Sequence, residues 1–206
     1  SINTVYELTK NKKKNYLRID YENNLSGLTL NTLSPKYTQL VNNIINSEGL
    51  VFCYSFYIGG EGFEILTKVL DIQGMDKLDP KYINEDGTVK ENRNFKINDC
   101  IRFNIDDDVN KWKTDRIKVI NDDNVETYNN GSININNIYK CYYVLWTGSV
   151  KIEDRNKILK CYNNFENIYG KNLMILLAST AGAQGISLFN VRQVHIIEPY
   201  WNKVKT

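Results

Sequence analysis

A chain of 206 residues is long enough for one sizeable core, or for one core carrying a long insertion. Its hydrophobic fraction of 42% and charged fraction of 24% are those of an ordinary soluble domain, and no run approaches the ~18 apolar residues that would span a bilayer. A formal charge of +2 neither points to nor excludes a nucleic-acid partner, because a net count hides a local basic patch.

The start of the chain is basic with no apolar segment behind it, so no secretory signal is expected there. A cytoplasmic protein with reduced thiols is the expectation. Cys53, Cys100, Cys141 and Cys161 form no CxxC, and the single histidine, His195, is far from them in sequence, which argues against zinc and leaves no metal site expected. Over-use of Asn, Ile, Lys and Tyr reads as the coding bias of an AT-rich genome.

Residues 1–33 show no sustained period and form a lead-in segment. Lys10 to Lys14 within it reads as a solvated charged run more readily than as a nucleic-acid contact. At Ser34-Pro35 a helix is expected, with serine as N-cap and proline in the first turn. Tyr37, Leu40, Val41, Ile44 and Ile45 give it one apolar face, and Gly49 is expected to end it. The run from Leu50 to Tyr57 predicts a parallel strand buried on both faces. Gly59, Gly60 and Gly62 predict a turn, and without a lysine they make a poor phosphate loop. A second helix follows through Phe63, Leu66, Val69 and Leu70.

From about 74 to 138 the sequence turns polar, with Asp86-Gly87 and Asn130-Gly131 as turn signals and short alternating pieces such as Ile101 to Ile105. This predicts an insertion of exposed strands on the domain's edge, without a second core and dispensable for folding; a deletion of 78–136 is expected to leave a cooperative unit. Cys141 to Trp146 predicts the next buried strand, ending in Thr147-Gly148-Ser149. A helix is expected over 153–168, with Ile158, Leu159, Tyr162 and Phe165 on one face. A strand over Leu173 to Ala178, the segment Ser179 to Gly185, a short helical piece around Leu188 and a buried strand over Val194 to Ile197 complete the chain. Apolar strands alternating with helices predict an α/β three-layer domain with a mainly parallel sheet.

Ligands of open α/β sheets bind at the carboxyl ends of the strands. Ser55, Thr147-Gly148 and Ser179 through Gly185 fall at such ends, where glycine lets backbone approach an oxyanion and hydroxyls donate to phosphate. On chemistry alone this describes either a phosphate-binding edge or tight strand-to-helix turns. Both readings stay open at this level.

The segment Leu176 to Leu188, followed by Asn190 to Asn202 (NVRQVHIIEPYWN), resembles motif V and the next strand of superfamily 2 helicases, closest to the Swi/Snf-like and poxvirus early-transcription-factor-like helicases of large DNA viruses. Val51 to Phe56 resembles motif IV. Thr147-Gly148, with Glu153-Asp154-Arg155 and then Phe165 and Asn167, resembles the segment that precedes motif V. The resemblance covers about 34–72 and 140–202. It implies a C-terminal RecA-like domain over 34–206, with the insertion unmatched, whose function is that of half an ATP-dependent DNA or RNA helicase, translocase or transcription-related ATPase.

The resemblance also implies roles. Gly182, Gln184 and Gly185 would border the ATP cleft, and Ser55, Thr147, Gly148, Ser179 and Thr180 would contact a nucleic-acid backbone. ATP with Mg2+ would be held mainly by a first RecA-like domain of the same protein, the other expected partner being a DNA or RNA strand. A viral source, with a viral factory or virion as location, is suggested in the same way. No residue here is expected to be catalytic: the arginine-bearing motif VI would begin shortly after Trp201-Asn202, the chain ends at Thr206, and no Walker A sequence is present. Asp106 to Asp108 reads as a solvated turn, His195 as a core or edge histidine, and Trp201 as packing the strand end rather than stacking on a base. The rival reading is a non-catalytic RecA-like interaction module, a degenerate helicase half.

Overall fold

The computed structural model describes residues 6–11, 14–19, 30, 31, 34–59, 62–90, 94–105 and 111–198. Lys12 and Lys13 of the basic run, Asp106 to Asp108, and Trp201 lie outside the described residues. The lead-in segment, read as aperiodic, holds an antiparallel hairpin of β1 (Tyr6–Asn11) and β2 (Lys14–Ile19).

Five strands make the central sheet: β3 (Leu50–Ser55), β4 (Asp76–Lys77), β10 (Tyr142–Trp146), β11 (Ile175–Ser179) and β12 (Val191–Ile196). Their order is β12-β3-β11-β10-β4 and every pairing is parallel. The apolar runs divide between two faces by the two-residue period of a strand. Val51, Cys53, Tyr143, Ile175 and Leu177 join Tyr37, Leu40, Val41 and Ile44 of α1 (Pro35–Ile45) and Phe63, Leu66, Val69 and Leu70 of α2 (Phe63–Ile72) in one cluster. Val144, Trp146, Leu176 and Ala178 point the other way, onto Ile158, Cys161 and Tyr162 of α3 (Ile152–Tyr162). Helices on both faces of a parallel sheet give the expected three-layer α/β fold.

Several boundaries differ from those the sequence predicts. Helix α1 starts as expected, with the Tyr37 N–H donating to Ser34 Oγ at 3.4 Å, but its cap is Asn46 and not Gly49. Gly49 is small for another reason: a Cβ there would lie 2.6 Å from the Ile168 carbonyl oxygen. Strand β3 ends at Ser55, which leaves Phe56, Tyr57 and Ile58 exposed. The helix expected over 153–168 stops at Tyr162, and Phe165 falls in a separate 3-10 turn with its ring exposed. The helical piece expected near Leu188 is instead the single turn α4 (Thr180–Ala183). Strand β12 is an edge strand with Val194 and Ile196 exposed, so His195 sits in a half-buried strand, not a core one.

The largest correction concerns the insertion. Residues 74–90 are part of the α/β body: β4 extends the parallel sheet, and Leu78 and Ile83 are buried against α3's cluster. Beyond them β5 (Cys100–Asn104), β6 (Trp112–Ile120), β7 (Asn124–Thr127), β8 (Gly131–Asn134) and β9 (Ile138–Lys140) form a second, antiparallel sheet in the order β8-β7-β6-β5-β9. It has a core of its own in Ile101, Phe103, Ile117, Val125 and Ile138. Polar composition hid this because the few apolar residues of these strands are interleaved with charged and polar ones, as in CIRFN of β5 and WKTDRIKVI of β6.

The two sheets are tied where the chain leaves and returns. The Cys100 N–H donates to Gly74 O at 2.7 Å, and the Cys141 N–H donates to Cys100 O at 2.9 Å. From the face of β5 opposite Ile101 and Phe103, fully buried Arg102 reaches the body. Its guanidinium donates to Ser47 O at 3.0 Å, to Thr114 Oγ1 at 2.8 Å and to Tyr169 O. Burial lowers the Arg102 pKa, and no carboxylate faces the charge among its described partners; backbone carbonyl dipoles solvate it instead.

Candidate nucleotide and nucleic-acid edge

The carboxyl ends of β3, β10, β11 and β12 bring the chemistry-bearing segments to one edge. Parallel pairing sets Ser55 opposite Ser179 and Trp146 opposite Ala178, so the turns after β10 and β11 start side by side.

Those two turns are locked together. The Trp146 Nε1–H donates to Gly182 O at 2.6 Å. A Cβ on Gly182 would lie 2.4 Å from Trp146 Cδ1 and from its carbonyl oxygen, so only glycine closes this contact. A Cβ on Gly148 would meet Ala181 Cβ at 3.4 Å. From α3, Arg155 braces the first turn: Nε donates to Val150 O at 3.0 Å, and NH2 to Thr147 O at 3.0 Å and Gly148 O at 3.1 Å. Its guanidinium carbon lies 5.8 Å from the Trp146 ring. Arg155, Trp146 and Gly182 thus fix residues 147–150 against 180–183.

A second brace joins β3 to β12. Ser55 Oγ donates to Glu198 Oε2 at 2.6 Å and lies 2.7 Å from Tyr57 O, while the Phe56 N–H reaches the same carboxylate oxygen at 3.3 Å. Glu198 therefore caps the turn after β3. On the other face of that strand, Tyr54 Oη and Thr180 Oγ1 are 2.9 Å apart.

The expected site residues fall into two groups. Ser55 and Ser179 are buried, Thr147 is 6% exposed with its hydroxyl 2.8 Å from Ser149 Oγ, and Gly182 is buried under Trp146. These shape the edge from below. Gly148, Gln184 and Gly185 are exposed and Thr180 is half-exposed, so the solvent-facing rim is theirs. Gly185 adopts φ of 74° with nothing near its missing Cβ, so its glycine serves a left-handed backbone turn. Ser179 Oγ and Glu198 Oε1 are buried without a hydrogen-bond partner among the described residues.

Over 174 residues, covering 84% of the chain, the sequence is 30% identical to a termination factor NPH-I homolog of African swine fever virus. Over most of its length the chain is thus similar to a homologue of the superfamily 2 helicase type. Other helicases match over shorter stretches. A protein of Acanthamoeba polyphaga mimivirus, provisionally named as an ATP-dependent RNA helicase, is 35% identical over 31% of the chain and 8% of its own length. An uncharacterised killer-plasmid helicase of Kluyveromyces lactis is 36% identical over 34% of the chain and 12% of its own length. The chain spans about a fifth (21%) of the termination factor homolog. No family model matches the chain, and no solved structure does.

Sequence reasoning missed Trp146, Tyr54 and Glu198, and named Arg155 without a role. Trp146 carried a usable signal, since a buried indole N–H at a strand end requires an acceptor nearby. Which carbonyls Arg155 holds depends on how α3 packs, and local spacing does not contain that.

Proposed function

We propose that this chain is the second RecA-like domain of an ATP-dependent nucleic-acid helicase or translocase, and that its β10–β11 edge contacts the strand backbone and closes one side of the ATP cleft. The observation that carries this reading is the pairing of the Thr147–Ser149 turn with the Ser179–Gly185 turn through Trp146 and Gly182. Two turns rich in hydroxyls and glycine amides, held rigid on one sheet edge, present donors to phosphate oxygens without reading bases. That suits a motor that moves along any sequence.

In this reading the roles divide by exposure. Exposed Gly148 and half-exposed Thr180 meet the strand, and buried Thr147, Ser179 and Ser55 set the curvature beneath them. Gln184 and Gly185, on the rim after α4, face the nucleotide, while Gly182 serves the packing of the two turns. The donor set fits the phosphates of ATP better than a divalent cation. Glu198, the carboxylate at the edge, is engaged with Ser55, and the described residues contain no group of three acidic, histidine or cysteine side chains placed to hold a metal. In this reading Mg2+ and catalysis belong to the first RecA-like domain, as the resemblance to helicases implies. Closure of the two domains over ATP would then shift the edge along the strand. Relatives named as a termination factor and as helicases fit a transcription-related role. Among the described residues no helix is long and apolar enough to cross a membrane.

The test is strand-stimulated ATP turnover by the native-length protein. Thr180→Val and Gly148→Val are expected to weaken stimulation by the strand with little change in basal turnover. Native-length protein without any strand-stimulated turnover favours the interaction-module reading.

A further inference from the structure

Across one row of the parallel sheet, register pairs Ile196 with Tyr54, Tyr54 with Ala178 and Ala178 with Trp146, all on a single face. The alanine carries no side chain beyond Cβ, and the two aromatics that flank it each reach the turn after β11. The Trp146 Nε1–H donates to Gly182 O at 2.6 Å, and Tyr54 Oη lies 2.9 Å from Thr180 Oγ1. Trp146 therefore holds backbone, whereas Tyr54 holds a side chain, the hydroxyl of half-exposed Thr180. We infer that Tyr54 is a positioning residue for strand binding: its phenol donates to Thr180 Oγ1 and so aims the one Thr180 hydroxyl proton at a phosphate oxygen of the strand. This rests on the reading of the edge as a strand contact, and adds the group that governs one of its hydroxyls.

Proton counting sets the direction of the bond. Each hydroxyl carries a single proton, and in the free protein either oxygen can be the donor. A phosphate oxygen only accepts. With a phosphate at Thr180 the threonine proton is committed to it, and the contact with Tyr54 persists only if the phenol donates. The opposite arrangement would turn the threonine proton into the protein and leave a lone pair facing the phosphate. A hydrogen bond accepted from Tyr54 also polarises the threonine hydroxyl, which makes its own proton a better donor.

The surroundings of the phenol leave it this one task. Its row neighbours, Ile196 and Ala178, offer no polar side-chain atom. Phe52, two residues earlier on the same face of β3, packs against the cluster beneath α3 with a bare ring. Tyr54 repeats that aromatic one step nearer the edge and adds the hydroxyl. Thr180 is β-branched and stiff about χ1, so one hydrogen bond suffices to select its rotamer.

The experiment measures binding of a fluorescently labelled single-stranded homo-oligonucleotide by the native-length protein, in the parent, Tyr54→Phe, Thr180→Val and the double variant. Tyr54→Phe is expected to weaken binding by about three- to tenfold, the worth of one oriented hydrogen bond. It is expected to cause no further loss once Thr180→Val is present. Thr180→Ser, which keeps a hydroxyl, is expected to bind as the parent does and to stay sensitive to Tyr54→Phe. In the 206-residue chain, the Trp146 indole N–H should be as protected from solvent exchange in Tyr54→Phe as in the parent, since the turn keeps its bond to Gly182. A full loss on adding Tyr54→Phe to Thr180→Val, or a Trp146 N–H that loses protection, makes Tyr54 a structural residue and overturns the inference. Binding that Thr180→Val weakens and Tyr54→Phe leaves unmoved overturns the role of Tyr54 alone. A parent that binds no oligonucleotide, or is indifferent to Thr180→Val, overturns the strand contact at Thr180 and this inference with it.

Discussion

The indole N–H of Trp146 and the carbonyl oxygen of Gly182, 2.6 Å apart, join the ends of two neighbouring parallel strands into one rigid edge. Trp146→Phe removes that bond and is expected to cost ~1 kcal/mol in urea unfolding. Gly182→Ala forces a Cβ into Trp146 and is expected to cost ~1–3 kcal/mol. Because the two share one contact, the double variant should depart from additivity by at least ~0.5 kcal/mol. Strict additivity would mean that the turns are independent.

Gly185 and Gly131 form a matched pair. Both have positive φ, at 74° and 68°, and neither has an atom near its missing Cβ. Alanine at either position should cost a similar ~1–2 kcal/mol through backbone strain alone. Only Gly185→Ala is expected to reduce ATP turnover in the native-length protein, since Gly131 opens β8 in the antiparallel sheet, away from the edge. Equal losses in turnover would assign both effects to stability.

Arg102 makes the antiparallel sheet part of the folding unit. Arg102→Met leaves Ser47 O and Tyr169 O without their donor in a buried seam, with an expected loss of at least ~2 kcal/mol. Deleting 78–136 should do worse, because it also removes Leu78 and Ile83 from the core against α3. A deletion variant that melts as cooperatively and at the same temperature as the parent would contradict this.

Burial holds His195 below its ordinary pKa of 6.5, so the unfolded chain takes up a proton more readily than the folded one. The stabilisation from this neutral ring is present above about pH 6.5 and is lost as pH falls below it. The melting temperature of the parent should therefore fall further between about pH 7.5 and 5.5 than that of His195→Gln. Identical shifts in the two proteins would show that the ring titrates as it does in water.

The parallel sheet was legible because both faces of β3, β10 and β11 are buried, and a continuous apolar run as short as Ile175 to Ala178 fits a buried strand better than a helix. The edge was legible as a set of glycines and hydroxyls, but not its division of labour. Whether Ser179 is buried or open depends on the turn beside it, a contact between residues over thirty positions apart. The antiparallel sheet was legible as strands and misread as a surface feature. Its tie to the body runs through Arg102, a charged residue that composition assigns to solvent and that three tertiary contacts bury instead. Glu198 went unread for a similar reason, since its partners Ser55 and Phe56 lie more than 140 positions earlier.

The most direct test of the central claim is backbone amide mapping of the chain on addition of a single-stranded oligonucleotide. The account predicts shifts of Gly148, Thr180, Gln184 and Gly185 that occur with unrelated base sequences and fade as salt is raised. Amides on this edge that stay unmoved at millimolar oligonucleotide would contradict it.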